Sequence, residues 1–298
     1  MITPALAEIT QQFPVLKLQV TIKLLQDTQL PSFKGSMLHG WFGHALKAAS
    51  EKAFYICYGD HDVRQPKPYM ITPNGDHKTH WKNGECYSFE ISLFGDATQL
   101  VDEIFTAIHI GEKMGLGAKR TPFKVLSIAS VTANGLVAGV HPTPLYNYIS
   151  HLQPTARNLA GQSTEFAFNC TTPLRLKHRG SILKQGQNSS SFWSNAALRR
   201  MVQLGQFWVN DNEGLYDALY SEFQVASKCD VSNELYFEDW QRFSLKESKQ
   251  LPFGGLKGQV SFFGECAHLI PLFKCMEVLH LGSKTTFGLG KIELISGY

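Results

Sequence analysis

Residues 108–117, IHIGEKMGLG, and residues 279–290, LHLGSKTTFGLG, follow one pattern. Each runs apolar-His-apolar-Gly-x-Lys and then Gly-Leu-Gly, with one residue before the Gly-Leu-Gly in the first copy and three in the second. Two glycine-rich stops of the same design, 171 positions apart, point to a tandem duplication. The elements around each copy show what was duplicated.

Ahead of the first copy, residues 15–24 alternate Leu16, Leu18, Val20, Ile22, Leu24 with Lys17, Gln19, Thr21, Lys23, the period of a half-buried strand. From Ser36 the spacing changes to that of a helix, with Met37, Leu38, Trp41, Phe42, Ala45, Leu46 and Ala49 forming an apolar stripe. Strands follow at 68–72 and 86–94, an amphipathic helix at 97–114 ends in the glycine-rich stop, and a strand fits 123–131. That order is β-α-β-β-α-β, the ferredoxin-like unit.

The second copy sits in the same frame. A strand at 163–176 leads to a helix from Phe192 with Trp193, Ala197, Met201, Leu204 and Trp208 on one face. Strands fit 234–246 and 257–264, a helix fits 266–281, and 291–295 closes the unit. Residues 136–162 carry proline and glycine without periodicity. The predicted fold is therefore α+β, two tandem ferredoxin-like domains at 1–140 and 163–298, joined by a linker at 141–162.

The 298 residues are 43% hydrophobic, ample for two cores, which excludes intrinsic disorder. No stretch approaches the roughly 18 apolar residues of a bilayer span, and the first residues lack a basic region followed by an apolar one. A soluble, cytoplasmic chain is expected, with no membrane partner. Six cysteines are widely spaced without a C-x-x-C pair, so neither a disulfide framework nor a common zinc spacing is present.

A net charge of +3 conceals a strong partition. Residues 113–210 hold eleven Lys/Arg against the single acid Glu165, whereas residues 1–112 and 211–298 are each net acidic. Such a tract concentrates a polyanion unless the acidic flanks neutralise it in the fold. Nucleic acid is the expected partner.

The stretch 255–294, GLKGQVSFFGECAHLIPLFKCMEVLHLGSKTTFGLGKIEL, resembles the C-terminal signature of the CRISPR-associated endoribonucleases that cut the repeat transcript into guide RNAs, within the RAMP superfamily. The glycine-rich loop before the last strand is GSKTTFGLG (282–290); TPLRLKHRG (172–180) is similar to the family's basic strand. WQRFSLKE (240–247), with Arg242, looks like its Arg-containing segment, and LPSFKGSMLHGWFGHALKAA (30–49) is similar to its first helix. Many RAMP proteins carry Arg-Gly in that helix where this chain has His39-Gly40. The resemblance implies processing of the repeat transcript (pre-crRNA), with its hairpin stem as partner and CRISPR effector or adaptation proteins as further partners. The alternative it leaves open is a non-catalytic RAMP subunit that holds guide RNA.

The residues suggest where such chemistry would sit. With about 100° per residue and Ser36 as zero, His39 falls near 300°, His44 near 80° and Lys47 near 20°, opposite the apolar stripe. Gly40 and Gly43 lie on that same side, so the reading is a glycine-floored strip flanked by two imidazoles with an ammonium between them. A neutral imidazole can take a ribose 2′-hydroxyl proton, an acid can protonate the leaving 5′-oxygen, and a cation can stabilise the phosphorane. His39 is the first candidate for base, His44 the competitor or the acid, and Lys47 the electrostatic stabiliser, with no metal and no cofactor required.

For binding, alternation would put Arg175, Lys177 and Arg179 on one face of an extended segment, with Arg199 and Arg200 continuing the track. The loop GSKTTFGLG is neither a Walker A motif nor a G-x-G-x-x-G fingerprint. Gly282, Gly288 and Gly290 allow close backbone approach to a phosphate chain, Thr285 and Thr286 offer hydroxyls, and Lys284 offers a charge. His280 and His109, at matching places before the two stops, read as structural.

Overall fold

The computed structural model describes residues 2–59, 65–75, 77–152, 164–224, 228–239, 241–244 and 249–296. Helix α1 (Pro4–Gln12) precedes strand β1 (Pro14–Leu24), helices α2 (Gly35–Ala49) and α3 (Glu51–Tyr58), strands β2 (Tyr69–Pro73) and β3 (Cys86–Phe94), and helix α4 (Val101–Met114). Strands β4 (Phe123–Thr132) and β5 (Gly135–Ala138) complete the first half. The second half holds β6 (Thr164–Leu174), α5 (Ser190–Trp208), α6 (Glu213–Phe223), β7 (Cys229–Asn233), β8 (Gly255–Gly264), α7 (Ile270–Leu279) and β9 (Ile292–Ser296).

The first sheet runs β2-β3-β1-β4-β5 and the second β7-β8-β6-β9, antiparallel throughout. Apart from the β5 extension, both place their strands in the order second, third, first, fourth. That shared order bears out the two ferredoxin-like units. Both glycine-rich stops close the helix that leads to the fourth strand: Gly115 and Gly117 follow α4, and the 282–290 loop follows α7.

Burial follows the sequence pattern in the first unit. Leu16, Leu18, Val20, Ile22 and Leu24 of β1 are fully buried against Leu38, Phe42, Ala45 and Leu46 of α2 and Ile104, Ala107 and Ile108 of α4. Trp41 seals the two helices, its indole N–H donating to Gly111 O at 3.0 Å. The second core stacks Phe166 on Phe262, centroids 4.6 Å apart, with Phe273 of α7 and Trp193, Ala197 and Met201 of α5. Ala5, Leu6 and Ile9 of α1 belong to this second core, as do Met70 and Phe94 from the first sheet. Thr143–Pro144 pairs with β1, and Leu145, Tyr148 and Ile149 are buried in the second core. Residues 153–163 lie outside the described residues.

Helices α1, α3 and α6 have no counterpart in the sequence reading, and two strands differ from it. The second strand of the second unit is Cys229–Asn233 rather than 234–246, because this segment is what pairs with residues 260–264 of β8. Residues 241–244 pair instead with 249–252 in a separate hairpin, and only 236–238 joins β8. The strand into the basic segment stops at Leu174, and 177–178 pairs with 181–182 across a turn formed by Arg179 and Gly180, both at positive φ. No helix among the described residues is long and apolar enough to cross a membrane.

Candidate functional site

The glycine-rich loop is built from close backbone approaches that side chains would forbid. Gly288 has φ +81°, and a Cβ there would meet Pro73 Cδ at 2.5 Å and Ile71 O at 2.8 Å. Gly282 packs the same way against Arg175 O, and Gly290 against Leu281 O. These three glycines fit the loop to its own chain, which corrects the reading that they face a phosphate. Ser283 N donates to Arg175 O at 2.9 Å, Thr172 Oγ1 to Gly288 O at 2.9 Å, and Leu281 N to Gly290 O at 2.8 Å.

Beneath the loop lies Arg200, fully buried. Its guanidinium donates to Leu279 O from Nε at 3.2 Å and Nη2 at 3.0 Å, and to Thr285 Oγ1 at 3.1 Å. Burial pulls its pKa down to about 10, which leaves it charged at neutral pH. Arg200 and Arg199, neighbours on α5, are therefore held differently. Arg200 braces the loop from within, while Arg199 is exposed. His280 is buried as well, donates Nδ1–H to Leu289 O at 3.1 Å, and is pushed by burial down to about 3, hence neutral. Its structural role agrees with the sequence reading, although its counterpart His109 is exposed.

Between the halves opens a cavity of about 860 Å³, walled by residues 65–67, the 175–178 segment, one face of α5 and residues 282–287 of the loop. Among the described residues it receives Lys67, Arg175, Lys177, His178, Arg199, Arg200 and Lys284 and not one carboxylate. Arg175 donates Nη1–H to Gly254 O, and its buried Nε has no hydrogen-bond partner. Among the described residues, no ion pair uses a cation of the 113–210 tract. The basic tract is thus not neutralised there by the acidic flanks.

Arg175 and Lys177 both reach the cavity, but not through one extended face; the alternation breaks at Arg175, whose carbonyl is claimed by the loop. Arg179 is exposed in the hairpin turn and does not line the cavity. Of the loop polar groups, Lys284 is exposed in a left-handed conformation, Thr286 is partly exposed, and Thr285 is buried on Arg200. The side chain of Arg242 lies outside the described residues.

His39 stands where the loop meets α2. Its imidazole stacks on Phe287, centroids 3.9 Å apart at 16°, and leans on Tyr58 at 4.9 Å. Nε2 lies 3.0 Å from the Tyr69 hydroxyl, and the Tyr58 hydroxyl donates to His39 O at 2.8 Å. Phe287 also lines the cavity, so it connects the imidazole to the basic cleft. His44 is exposed, and Lys47 lies over the Phe54 ring of α3 at 5.6 Å. Lys47 is eight residues from His39, about 12 Å along the helix axis. The expected strip is not an open groove: Gly43 is buried, and a Cβ there would meet the Tyr58 ring at 2.8 Å. Tyr58, Tyr69 and Phe287 were not singled out from sequence. The trace of Phe287 is the extra Thr-Thr-Phe between Lys284 and Gly288, where the first copy has Met114 alone.

A family model described as CRISPR-associated endoribonuclease Cas6 matches residues 168–292, and a second, described as an N-terminal domain, matches residues 13–52 and 59–155. The Cas6 model thus matches the second half of the chain, the half that carries the glycine-rich loop. No curated protein sequence matches it significantly. Among solved structures, its fold is similar to a partial Cas6-RT-Cas1–Cas2 complex, with TM-score 0.67 at 13% identity over 96% of this chain and 46% of that one. It is also similar to a Cas6 product complex, with TM-score 0.59 at 15% identity over 95% and 99%. For a Thermus thermophilus Cas6 the TM-score is 0.53 at 13% identity over 95% and 99%. The chain thus spans less than half the length of the Cas6-RT-Cas1 chains it matches. At these identities the likeness shows the fold, two ferredoxin-like units in tandem.

Proposed function

We propose that this chain is an endoribonuclease of the Cas6 type that cleaves CRISPR repeat transcripts at one phosphodiester, with His39 as general base and the cleft between the halves holding the RNA backbone. The observation that carries the reading is the joining of two features by one residue: Phe287 stacks on His39 and walls a cavity that receives, among the described residues, seven basic side chains and no acid. The unpartnered Nε of Arg175 supports an anionic occupant. His39 takes the 2′-hydroxyl proton, the oxygen attacks the adjacent phosphorus, and the cavity cations, Lys284 foremost by exposure, offset the phosphorane charge. A proton delivered to the departing 5′-oxygen completes the step. The products are a 2′,3′-cyclic phosphate and a 5′-hydroxyl, and side chains suffice without a metal ion.

Repeat RNA is the partner in this reading. Likeness to Cas6-RT-Cas1–Cas2 complexes supports CRISPR adaptation proteins as further partners.

The test is incubation of the purified chain with labelled repeat RNA in EDTA, beside RNA carrying a 2′-deoxy nucleotide 5′ of the scissile bond. His39→Ala is expected to slow cleavage about 10²–10⁴-fold with RNA affinity within a few-fold. Full cleavage of the deoxy RNA overturns the mechanism. Binding of the natural RNA without cleavage gives the non-catalytic guide-RNA reading instead, and loss in His44→Ala with normal cleavage in His39→Ala moves the base along α2.

A further inference from the structure

The cleft between the halves has walls of two different chemistries. The 175–178 segment and the loop present cations, whereas helix α5 presents Phe192, Asn195, Arg199 and Gln203. At about 100° per residue these four positions fall within an arc of about 80°, a single row along the helix. From Phe192 to Gln203 the row spans about 16 Å of the axis.

Its composition is not that of a phosphate track. Asn195 is exposed and Gln203 half-buried, and among the described residues neither amide is engaged in a hydrogen bond within the protein. An amide sets donors beside an acceptor, so it contributes little to a charge-driven grip on phosphate but matches the edge of a base. Phe192, half-buried, meets the exposed ring of His178 edge to face, centroids 5.9 Å apart at 69°. Two rings at that angle make a corner in which a flat base can stack.

The size of the cleft selects the form of the RNA. At about 860 Å³ it lies in the range of roughly 300–1,000 Å³ that encloses one small ligand, which suits a nucleotide lifted out of its strand rather than a duplex. A paired stem would also hide its bases, because the major groove of A-form RNA is too deep and narrow for side chains to read. Unpaired bases stacked on aromatic rings are the form in which proteins take sequence from RNA. Every base sets a donor beside an acceptor on its pairing edge, but adenine alone repeats that pair on its N7 edge, so an amide fits it in either orientation.

We propose that Phe192, Asn195 and Gln203 form a base-reading subsite for unpaired nucleotides, adenine foremost, with Phe192 as the stacking platform and the two amides on the base edges. The inference rests on the reading that repeat RNA lies in the cleft, and adds that sequence is read there from a single strand. Arg199, between the two amides, keeps to the phosphates.

The test titrates the purified chain into labelled six-nucleotide strands of oligo(A), oligo(U) and oligo(C), beside repeat RNA, and follows fluorescence anisotropy at several salt concentrations. Oligo(A) is expected to bind about tenfold more tightly than the other two. The salt slopes should be equal, because the phosphates are the same. In the double variant Asn195→Ala, Gln203→Ala, the affinity for oligo(A) should fall to that for oligo(U) with no change in slope. Asn195 is exposed, so Asn195→Ala alone carries the test if the double variant folds poorly, and it should narrow the preference. Phe192→Leu keeps apolar volume but removes the flat face, so it should weaken all three strands about fivefold or more. Equal affinity for the three strands, or a preference for oligo(A) that survives loss of the amides, overturns the proposal and leaves the cleft as a backbone site. Binding of repeat RNA with none of the short strands has the same meaning. Failure of the short strands and of repeat RNA alike overturns the cleft reading, and the subsite with it.

Discussion

The imidazole of His39 and the ring of Phe287 lie face to face, centroids 3.9 Å apart and planes within 16°. His39 comes from α2 of the first unit and Phe287 from the loop of the second, so the candidate site exists only when the halves are assembled. The stack also has an edge partner, Phe253, at 5.1 Å from Phe287. Phe287→Ala should destabilise the chain by about 3 kcal/mol, as truncation of a buried phenylalanine does. Phe287→Leu keeps apolar volume but removes the flat face, so it should cost less stability and still slow cleavage. Urea unfolding beside single-turnover cleavage checks the pair; equal losses in both variants would leave the ring face without a role.

The basic residues divide into two kinds that mutation should separate. Lys177→Ala and Arg199→Ala remove exposed cavity charges, so each should weaken RNA binding and lower the dependence of log affinity on log salt by about one contact's share. Stability should be unchanged. Binding isotherms at several salt concentrations read the slope directly.

Arg200→Met should do the reverse. It leaves Leu279 O and Thr285 Oγ1 without their donor inside the loop, a loss of about 2–4 kcal/mol. Any loss of RNA affinity should then follow the unfolded fraction, measured by denaturant titration in the same buffer.

Gly288→Ala tests why the loop is rich in glycine. At φ +81° with Pro73 Cδ and Ile71 O within 2.8 Å of a Cβ, alanine is both strained and obstructed. The expected result is a melting temperature lowered by several degrees, about 1–3 kcal/mol. An unchanged melting temperature with impaired binding would return the glycine to a phosphate-facing role.

Much of this architecture was legible because periodicity is a local property. The alternation of 16–24 and the stripe 38–46 became β1 and the buried face of α2, and the repeated stops marked equivalent places in both units. Pairing partners are not local. Residues 229–233 rather than 234–246 became the edge strand because register with β8 decided between adjacent segments. Helix α6 carried a readable cap, Asn212, whose side chain accepts from Leu215 N. The basic run was misread as one extended face because Arg175 O bonds the loop more than a hundred residues away, which ends the strand. His39 was readable from its place on a helix face. Tyr58, Tyr69 and Phe287 reach it from three other elements, and no spacing rule connects them.

The buried imidazole of His280 should make stability depend on pH. Burial lowers its pKa from 6.5 to about 3 in the folded chain, because nothing there solvates the charged ring; Lys17, Lys291 and Arg200 add repulsion. Between these values the unfolded chain binds a proton that the native chain does not, so stability is greatest above 6.5 and falls as pH drops toward 3. The slope contributed is about 1.4 kcal/mol per pH unit well below 6.5. His280 sits at φ 56°, which asparagine tolerates better than other side chains, so His280→Asn keeps the backbone while removing the titration. Urea midpoints of both proteins between pH 7 and 5 make the comparison. The natural chain should lose stability more steeply than His280→Asn across that range, and parallel curves would mean that His280 is protonated in the native state.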